Sequence, residues 1–263
     1  MLMDKHTFAV CAYKESPYLE ACIQSLLDQT VRTDIIVATS TPNKFISDIC
    51  EKYNIPLYVN KGEGGITQDW NFAYNQTDAR YITIAHQDDI YDCHYTEEMY
   101  KLLSGVKKPI IFFTDYSELR NGEIVHDNKL LKIKRLMLIP LRCSLFWKSR
   151  FVRRRILSLG SPICCPSVTF DTSNCPNPVF QHGFRADEDW EAWERLSRRK
   201  GAFVYSRKIL TFHRIHQESE TSKILEDNAR HKEDFVMFCK FWPKSIARFL
   251  TKVYGTSEKS NEM

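Results

Sequence analysis

The sequence predicts an α/β protein: a mostly parallel sheet with flanking helices and a helical C-terminal extension. Three observations predict it. Apolar runs of strand length alternate with amphipathic segments of helix length through the first ninety residues, and this β-α-β-α-β-α-β order implies a parallel sheet with crossover helices. The run Tyr81-Ile82-Thr83-Ile84-Ala85 has no helical period and gives way to polar residues, so it reads as a short buried strand that ends just before Asp88 and Asp89. A composition of 43% hydrophobic and 27% charged residues over 263 positions suits a globular chain of one large domain or two small ones.

In chain order, residues 7–13 form a first buried strand. Ser16 and Pro17 then suit the cap and first position of a helix whose apolar positions, Tyr18, Leu19, Cys22, Ile23, Leu26 and Leu27, recur at helical spacing to about Gln29. A strand at 34–39, a helix marked by Phe45, Ile46, Ile49 and Tyr53, and a strand at 57–60 follow. The loop with Gly62, Gly64 and Gly65 fits neither a dinucleotide fingerprint nor a P-loop and reads as a turn needing unusual dihedrals. A helix at 66–75 leads into the strand at Tyr81, giving a Rossmann-like order. Beyond it come a helix at 95–103, a strand at 109–115, and an Asn121-Gly122 hairpin turn before Ile124 and Val125. A basic amphipathic stretch broken at Pro140 precedes a strand at 161–170, a helix at 185–200, and two short strands at 202–205 and 209–213. The pattern is helical again from Thr221. In its last part Ile246, Phe249, Leu250 and Val253 lie opposite Lys244, Arg248 and Lys252, a pattern that serves packing or a membrane surface.

The net charge of +4 hides a segregation. Between Asp127 and Asp171 there is no acidic residue, while ten Lys and Arg residues fall between Lys129 and Arg155. Such a block points to an anionic partner: phosphate groups, an anionic membrane surface or nucleic acid. Arg153-Arg154-Arg155 lacks the aromatic interleaving of a nucleic-acid binder, so nucleic acid is disfavoured. Nine scattered cysteines without a Cys-x-x-Cys argue against a zinc site or a disulfide framework and for reduced thiols in a cytosol. No stretch of about 18 apolar residues and no secretory leader is visible. The expectation is a cytoplasmic protein, peripheral on the inner face of the cell membrane if the basic stretch meets lipid.

Asp88 and Asp89 are the chemical centre of this reading. They fall where open α/β sheets bind ligands, past the carboxyl end of a strand. Two adjacent carboxylates suit a hard divalent cation with positions open for phosphate oxygens; a solvated acidic turn is the alternative.

Four stretches, in order, resemble the family 2 glycosyltransferases. They are Phe8-Ala9-Val10-Cys11-Ala12-Tyr13-Lys14-Glu15 with Tyr18-Leu19 and Ser25-Leu26-Leu27-Asp28-Gln29-Thr30; Asp69-Trp70-Asn71; His86-Gln87-Asp88-Asp89; and Asp187-Glu188-Asp189-Trp190-Glu191 with Leu210, Arg214-Ile215-His216 and Ser219. The resemblance covers residues 6–220 and implies a GT-A fold that binds a nucleotide-diphospho-sugar. It divides the chain into a nucleotide-sugar half (1–115), a basic amphipathic insertion (128–160), an acceptor and catalytic-base half (161–220) and a helical tail (221–263). It further implies Mg²⁺ or Mn²⁺ held by Asp88, with Asp89 second; Tyr13 stacked on the base; Ala12, Glu15, Thr39, Asn71, His86 and Gln87 around the donor; and Arg214 and His216 closing over the diphosphate. Asp189 matches the general base of an inverting transfer, with Glu188 and Asp187 beside it raising its pKa. The helix-dipole preference for acids at a helix start also explains these three residues.

The chain departs from the family's pattern at two points. His86 stands where the metal motif has its first Asp, and Ala38-Thr39 stands where a paired Asp follows the second strand. No Gln-x-x-Arg-Trp follows the base, against a processive synthase. The acceptor expected is a glycan or a lipid-linked acceptor in bacterial surface polysaccharide or lipopolysaccharide synthesis. The alternatives are a nucleotidyltransferase on a related sheet and an inactive nucleotide-sugar-binding relative.

Overall fold

The structure, a computed structural model, describes residues 4–216 and 229–259. Ser219 and the start of the tail at Thr221 lie outside the described residues.

The predicted alternation forms. β1 (His6–Ala12), α1 (Leu19–Leu27), β2 (Asp34–Thr39), α2 (Lys44–Lys52), β3 (Leu57–Val59), α3 (Ile66–Tyr74) and β4 (Tyr81–His86) follow in order, and the strands pair in parallel as β3-β2-β1-β4. The buried side of α1 is Leu19, Cys22, Ile23 and Leu26, as its spacing requires. Its start differs from expectation. The Ser16 hydroxyl accepts a bond from the Tyr18 N–H and Pro17 sits in the turn, so the regular helix opens at Leu19. Asn43 caps α2 by accepting from the Ile46 N–H. Of the three loop glycines, Gly65 needs glycine's freedom, with φ at 145° directly before α3.

The second half departs from a simple parallel order. After β5 (Ile90–Tyr91) and α4 (Tyr95–Leu103), β6 runs from Pro109 to Arg120 and turns at Asn121-Gly122 into β7 (Glu123–Val125). β8 (Val168–Asp171) lies antiparallel between β4 and β6. It is seated there by polar pairs: Arg80 on the Asp171 carboxylate at 3.0 Å, and a buried chain in which the Thr83 hydroxyl meets His6, Thr169 and, through Thr169, Tyr95. The strand expected at 161–170 is therefore only its last part. Pro162 and Pro166 lack the N–H a central strand must donate, and residues 165–167 form a 3₁₀ turn.

The two short strands expected at 202–205 and 209–213 are one, β9 (Ala202–Ile215), parallel to β6. Arg207 and Lys208 bulge out between the Thr114–Ser206 and Asp115–Ile209 pairs and stay exposed, which is why the apolar pattern breaks there. β9 pairs antiparallel with β5 at the sheet edge.

The basic stretch folds as α5 (Lys129–Met137), two 3₁₀ turns over 139–146 and α6 (Arg150–Leu157). α7 (Glu188–Ser197) precedes β9, and α8 (Ala229–Cys239) and α9 (Lys244–Lys259) close the chain. One core lies between the sheet and α1, α2 and α4. The other lies between the sheet and α3, α6 and α7 and takes in Met237, Phe238 and Ala247 of the last two helices. α9 packs through Ala247, Leu250, Thr251 and Tyr254, so of the apolar stripe read from its sequence only Leu250 meets the core; Ile246, Phe249 and Val253 stay exposed. No helix among the described residues is long and apolar enough to cross a membrane.

Candidate active site

The ends of β1, β2, β4 and β9 open onto a cavity of about 1010 Å³ at the carboxyl edge of the sheet. Its wall includes Ala12, Tyr13, Glu15, Asp69, Trp70, His86, Gln87 and Asp88 on one side, and Tyr116, Lys134, Glu188, Asp189 and Tyr254 on the other. A second cavity of about 780 Å³ lies at the opposite, amino-terminal ends of β1 and β2 and gathers no comparable cluster of ionisable groups. Position and chemistry both favour the first as the ligand site.

The loop after β4 is wired in from both sides. The Gln87 amide accepts from the Tyr13 N–H at 2.9 Å and donates to the Tyr13 carbonyl at 3.0 Å, so one side chain supplies the pairing β1 would otherwise seek. It holds the half-exposed Tyr13 ring at the cleft rim. Asp89 is fully buried, and its Oδ1 accepts from His213 Nδ1 at 3.0 Å and from the Arg214 N–H at 2.8 Å. Arg214 Nε donates to the Asp88 carbonyl, and its guanidinium lies over the Tyr18 ring at 4.2 Å. His216 Nε2 meets Asp88 Oδ2 at 3.0 Å. The end of β9 is thus clamped on the acidic loop.

His86, Asp88 and Asp89 each bring one donor atom within 4.8 Å of the others. Asp89 Oδ2 and His86 Nε2 are buried with no hydrogen-bond partner among the described residues. Burial lowers the His86 pKa against the pull of Asp89 and Asp88, so this imidazole is neutral and able to coordinate. For Asp88 burial works upward, yet the effects opposing it, led by the His216 bond, outweigh it and hold the carboxyl below its usual range. His213 is pushed up to about 9; burial opposes its charge, but the Asp89 carboxylate prevails. A neutral imidazole with two carboxylates, carrying orphaned atoms, fits a divalent cation. Trp70 stacks on His86 at 5.1 Å and fixes the ring.

Across the cavity, Asp189 sits in the first turn of α7 and accepts from the Trp190 N–H at 2.5 Å. Burial raises its pKa, opposed chiefly by the Lys134 ammonium. The direction matches expectation, but burial is the main cause, with no leading part for Glu188 and Asp187. Glu188 is pushed to about 7 and Asp187 well above its usual value, both by burial first. The start of α7 is held from outside: the Glu233 carboxylate on α8 accepts from the N–H groups of Arg185, Ala186 and Asp187 at 2.8–3.2 Å.

Of the predicted site residues, Thr39, Asn71, Asp89 and Arg214 do not reach the cavity wall. The Thr39 hydroxyl is buried and accepts from the Thr41 N–H. Asn71 bonds the Phe180 backbone twice, accepting from its N–H at 3.0 Å and donating to its carbonyl at 2.8 Å. Asp69 faces the cavity instead, taking bonds from Ser40 and Asn60.

The profile of the glycosyl transferase family 2 matches residues 7–168. The chain belongs to glycosyl transferase family 2. A curated relative of this chain, the glycosyltransferase GlyA of Streptococcus pneumoniae, is 26% identical over 119 residues, which are 43% of this chain and 17% of that one, so the chain matches only a small part of its relative. Its fold is similar to residues 1–349 of S. aureus TarS, with a TM-score of 0.62 at 12% identity over 94% of this chain and 69% of that one. The TarS structure in complex with UDP-GlcNAc gives 0.60 at 15% identity, covering 94% and 70%. The mannosyltransferase PcManGT from Pyrobaculum calidifontis, in complex with GDP-Man and Mn²⁺, gives 0.63 at 10% identity, covering 96% and 70%. These likenesses give the chain a GT-A fold. The site residues that sequence reasoning missed are Asp69, Trp70, Tyr116, Lys134 and Glu233. For Asp69 and Trp70 a signal is present, since both adjoin Asn71 in the same short motif. Lys134 is hidden among ten cations, and Glu233 is brought to α7 only by the tertiary fold.

Proposed function

We propose that this glycosyltransferase moves a sugar from a nucleotide-diphospho-sugar to an acceptor hydroxyl, with inversion at the anomeric carbon and with Mg²⁺ or Mn²⁺. The single observation that supports the reading is that Asp88 and Asp189 line one cavity of about 1010 Å³, room for one donor and the end of an acceptor. The donor class is that of the TarS and PcManGT complexes, which hold UDP-GlcNAc and GDP-Man. Tyr13 offers its ring to the base, and Glu15 and Gln87 line the nucleoside end. His86, Asp88 and Oδ2 of Asp89, which has no hydrogen bond among the described residues and lies 3.7 Å from His86 Nδ1, would hold the cation. An imidazole in that set favours Mn²⁺ over Mg²⁺, which prefers oxygen. A bound cation would supply charge neutralisation to the departing diphosphate.

The chain's own residues do the rest. At the end of β9, His216 on the cavity wall and Arg214 behind it, bonded to the Asp88 carbonyl, would bring hydrogen-bonding and cationic groups to the leaving diphosphate; such electrostatic help is worth about 3–4 kcal/mol per well-placed donor. Asp189 takes the proton from the acceptor hydroxyl as that oxygen attacks the anomeric carbon. The C–O bond to the diphosphate breaks on the opposite face, and nucleoside diphosphate leaves. Glu188 lies next to Asp189 on the same cavity wall. The acceptor is a glycan or lipid-linked acceptor of a bacterial surface polysaccharide or lipopolysaccharide. The test is a panel of nucleotide sugars with Mn²⁺, read by nucleoside diphosphate release. Release of pyrophosphate instead would mean nucleotidyl transfer and refute the reading.

A further inference from the structure

The ten cations of the basic stretch do not act together. Arg153 is 1% exposed and donates to backbone carbonyls; Arg154 pairs with Glu194; Arg135 holds the carbonyls of Tyr116 and His126; Lys134 points into the cleft. What is left outside is Lys129, Lys132, Arg142, Lys148 and Arg150, with Lys132 sharing Asp127 at the edge. Between them, large apolar side chains stand in solvent: Leu136 at 64%, Leu145 at 83% and Phe151 at 73% exposed, with Ile133, Phe146 and Leu159 also out. A folded chain has no reason to expose so many neighbours of this kind unless something covers them.

α9 continues the surface. The Arg155 guanidinium lies over both Phe151 and Trp242, Trp242 donates to the Ser158 carbonyl at 2.7 Å, and Tyr254 sits directly over Gly160. α9 therefore lies against the end of α6. Its outward side carries Ile246, Phe249 and Val253 flanked by Lys244, Arg248 and Lys252, and it has no acid before Glu258. Lys134 and Tyr254 place the inner side of this surface on the cleft wall.

We propose that this surface, made by residues 129–159 and α9, docks the enzyme on an anionic lipid bilayer. Apolar side chains entering the headgroup boundary beside exposed Lys and Arg are the chemistry of an interfacial membrane contact. A second copy of the chain is a poorer occupant, because a twofold contact would set like charges against one another. A nucleic acid would leave Leu145 and Phe151 unused. The docked orientation brings the cleft mouth to the membrane, so the acceptor is one carried by a lipid; this corollary rests on the glycosyl-transfer reading, whereas the docking does not.

Sedimentation of the whole chain with phosphatidylglycerol/phosphatidylethanolamine vesicles, against phosphatidylcholine vesicles, tests it without any turnover. The expected result is binding to the anionic vesicles that falls with salt. The pair Leu145→Ser with Phe151→Ser, and separately Arg142→Glu with Arg150→Glu, should each lower the bound fraction at least about tenfold, with thermal midpoint and donor binding unchanged. No binding to anionic vesicles overturns the proposal. So does a concentration-dependent dimer that Leu145→Ser with Phe151→Ser dissolves, or a protein partner captured by the same surface in place of lipid. Nucleoside diphosphate release without vesicles separates failure of the docking from failure of the enzymatic reading.

Discussion

Arg153→Met should destabilise the fold by about 3–5 kcal/mol. The wild-type guanidinium is buried and reaches four carbonyls: Trp147 at 3.2 Å, Gly201 at 2.5 Å, Ser197 at 3.0 Å and Arg199 at 2.8 Å. Two of these end α7 and one begins the turn into β9, so a single cation closes three segments and meets the negative end of a helix. Burial lowers its pKa to about 10, which still leaves it charged at neutral pH. Bonds from a charged donor are worth about 1.5–3 kcal/mol each. Four would give more than this loss, but methionine escapes the cost of burying the charge, and water can reach the exposed 199–200 turn. At about 2–4 °C per kcal/mol for a chain of this size, the thermal midpoint should fall by about 6–20 °C. Arg153→Lys should recover less than half, because one ammonium cannot span the four acceptors. Calorimetric or circular-dichroism melting reads both. A fall of less than about 2 °C would refute the structural role and return Arg153 to the pool of binding cations.

Three further outcomes are expected. Asp189 must be ionised to accept a proton, and burial raises its pKa, so activity should be lost on acidification at a higher pH than an ordinary aspartate would allow; Lys134→Met, which removes the charge opposing that rise, should move the acid limb of the pH–rate profile higher still. His6 is buried between Thr33 and Thr83 with its pKa lowered to about 3, so below the ordinary histidine value of 6.5 the unfolded chain gains a proton that the native chain refuses. Stability should therefore decline as pH falls from 6.5 toward 3, by at most about 1.4 kcal/mol per pH unit from this group, and urea titrations of wild type and His6→Gln should show that component vanish in the variant. Glu233→Gln should loosen the start of α7 and lower kcat about 10²-fold through misplacement of Asp189, with donor affinity unchanged in calorimetry.

Much of the amino-terminal half was legible because its signals are local. Each strand from β1 to β4 is a contiguous apolar run, each crossover helix shows its period, and Asp88 and Asp89 follow a strand end directly. The second half depends on contacts distant in sequence. β8 enters the sheet between β4 and β6 through Thr83, Thr169 and Arg80, which no local pattern marks. Asn71 is occupied by Phe180, more than a hundred positions away, so nothing in its own neighbourhood shows that its amide is already spent on backbone. The basic stretch looked uniform in sequence because a buried Arg153 and an exposed Arg150 are the same letter; only packing separates them. α9 shows the same limit, since Ala247, Thr251, Leu250 and Tyr254 face inward while Ile246, Phe249 and Val253, of the same apolar stripe as Leu250, face outward.

The most direct measurement is calorimetric titration of UDP- and GDP-sugars, with and without Mn²⁺, into wild type and Asp189→Asn, paired with nucleoside diphosphate release on the same samples. The expected result is cation-dependent donor binding in both proteins, and release that falls about 10²–10⁴-fold in the variant. Donor binding indifferent to Mn²⁺, or full release by Asp189→Asn, would contradict a cation site at Asp88 working with a base at Asp189 in one cleft.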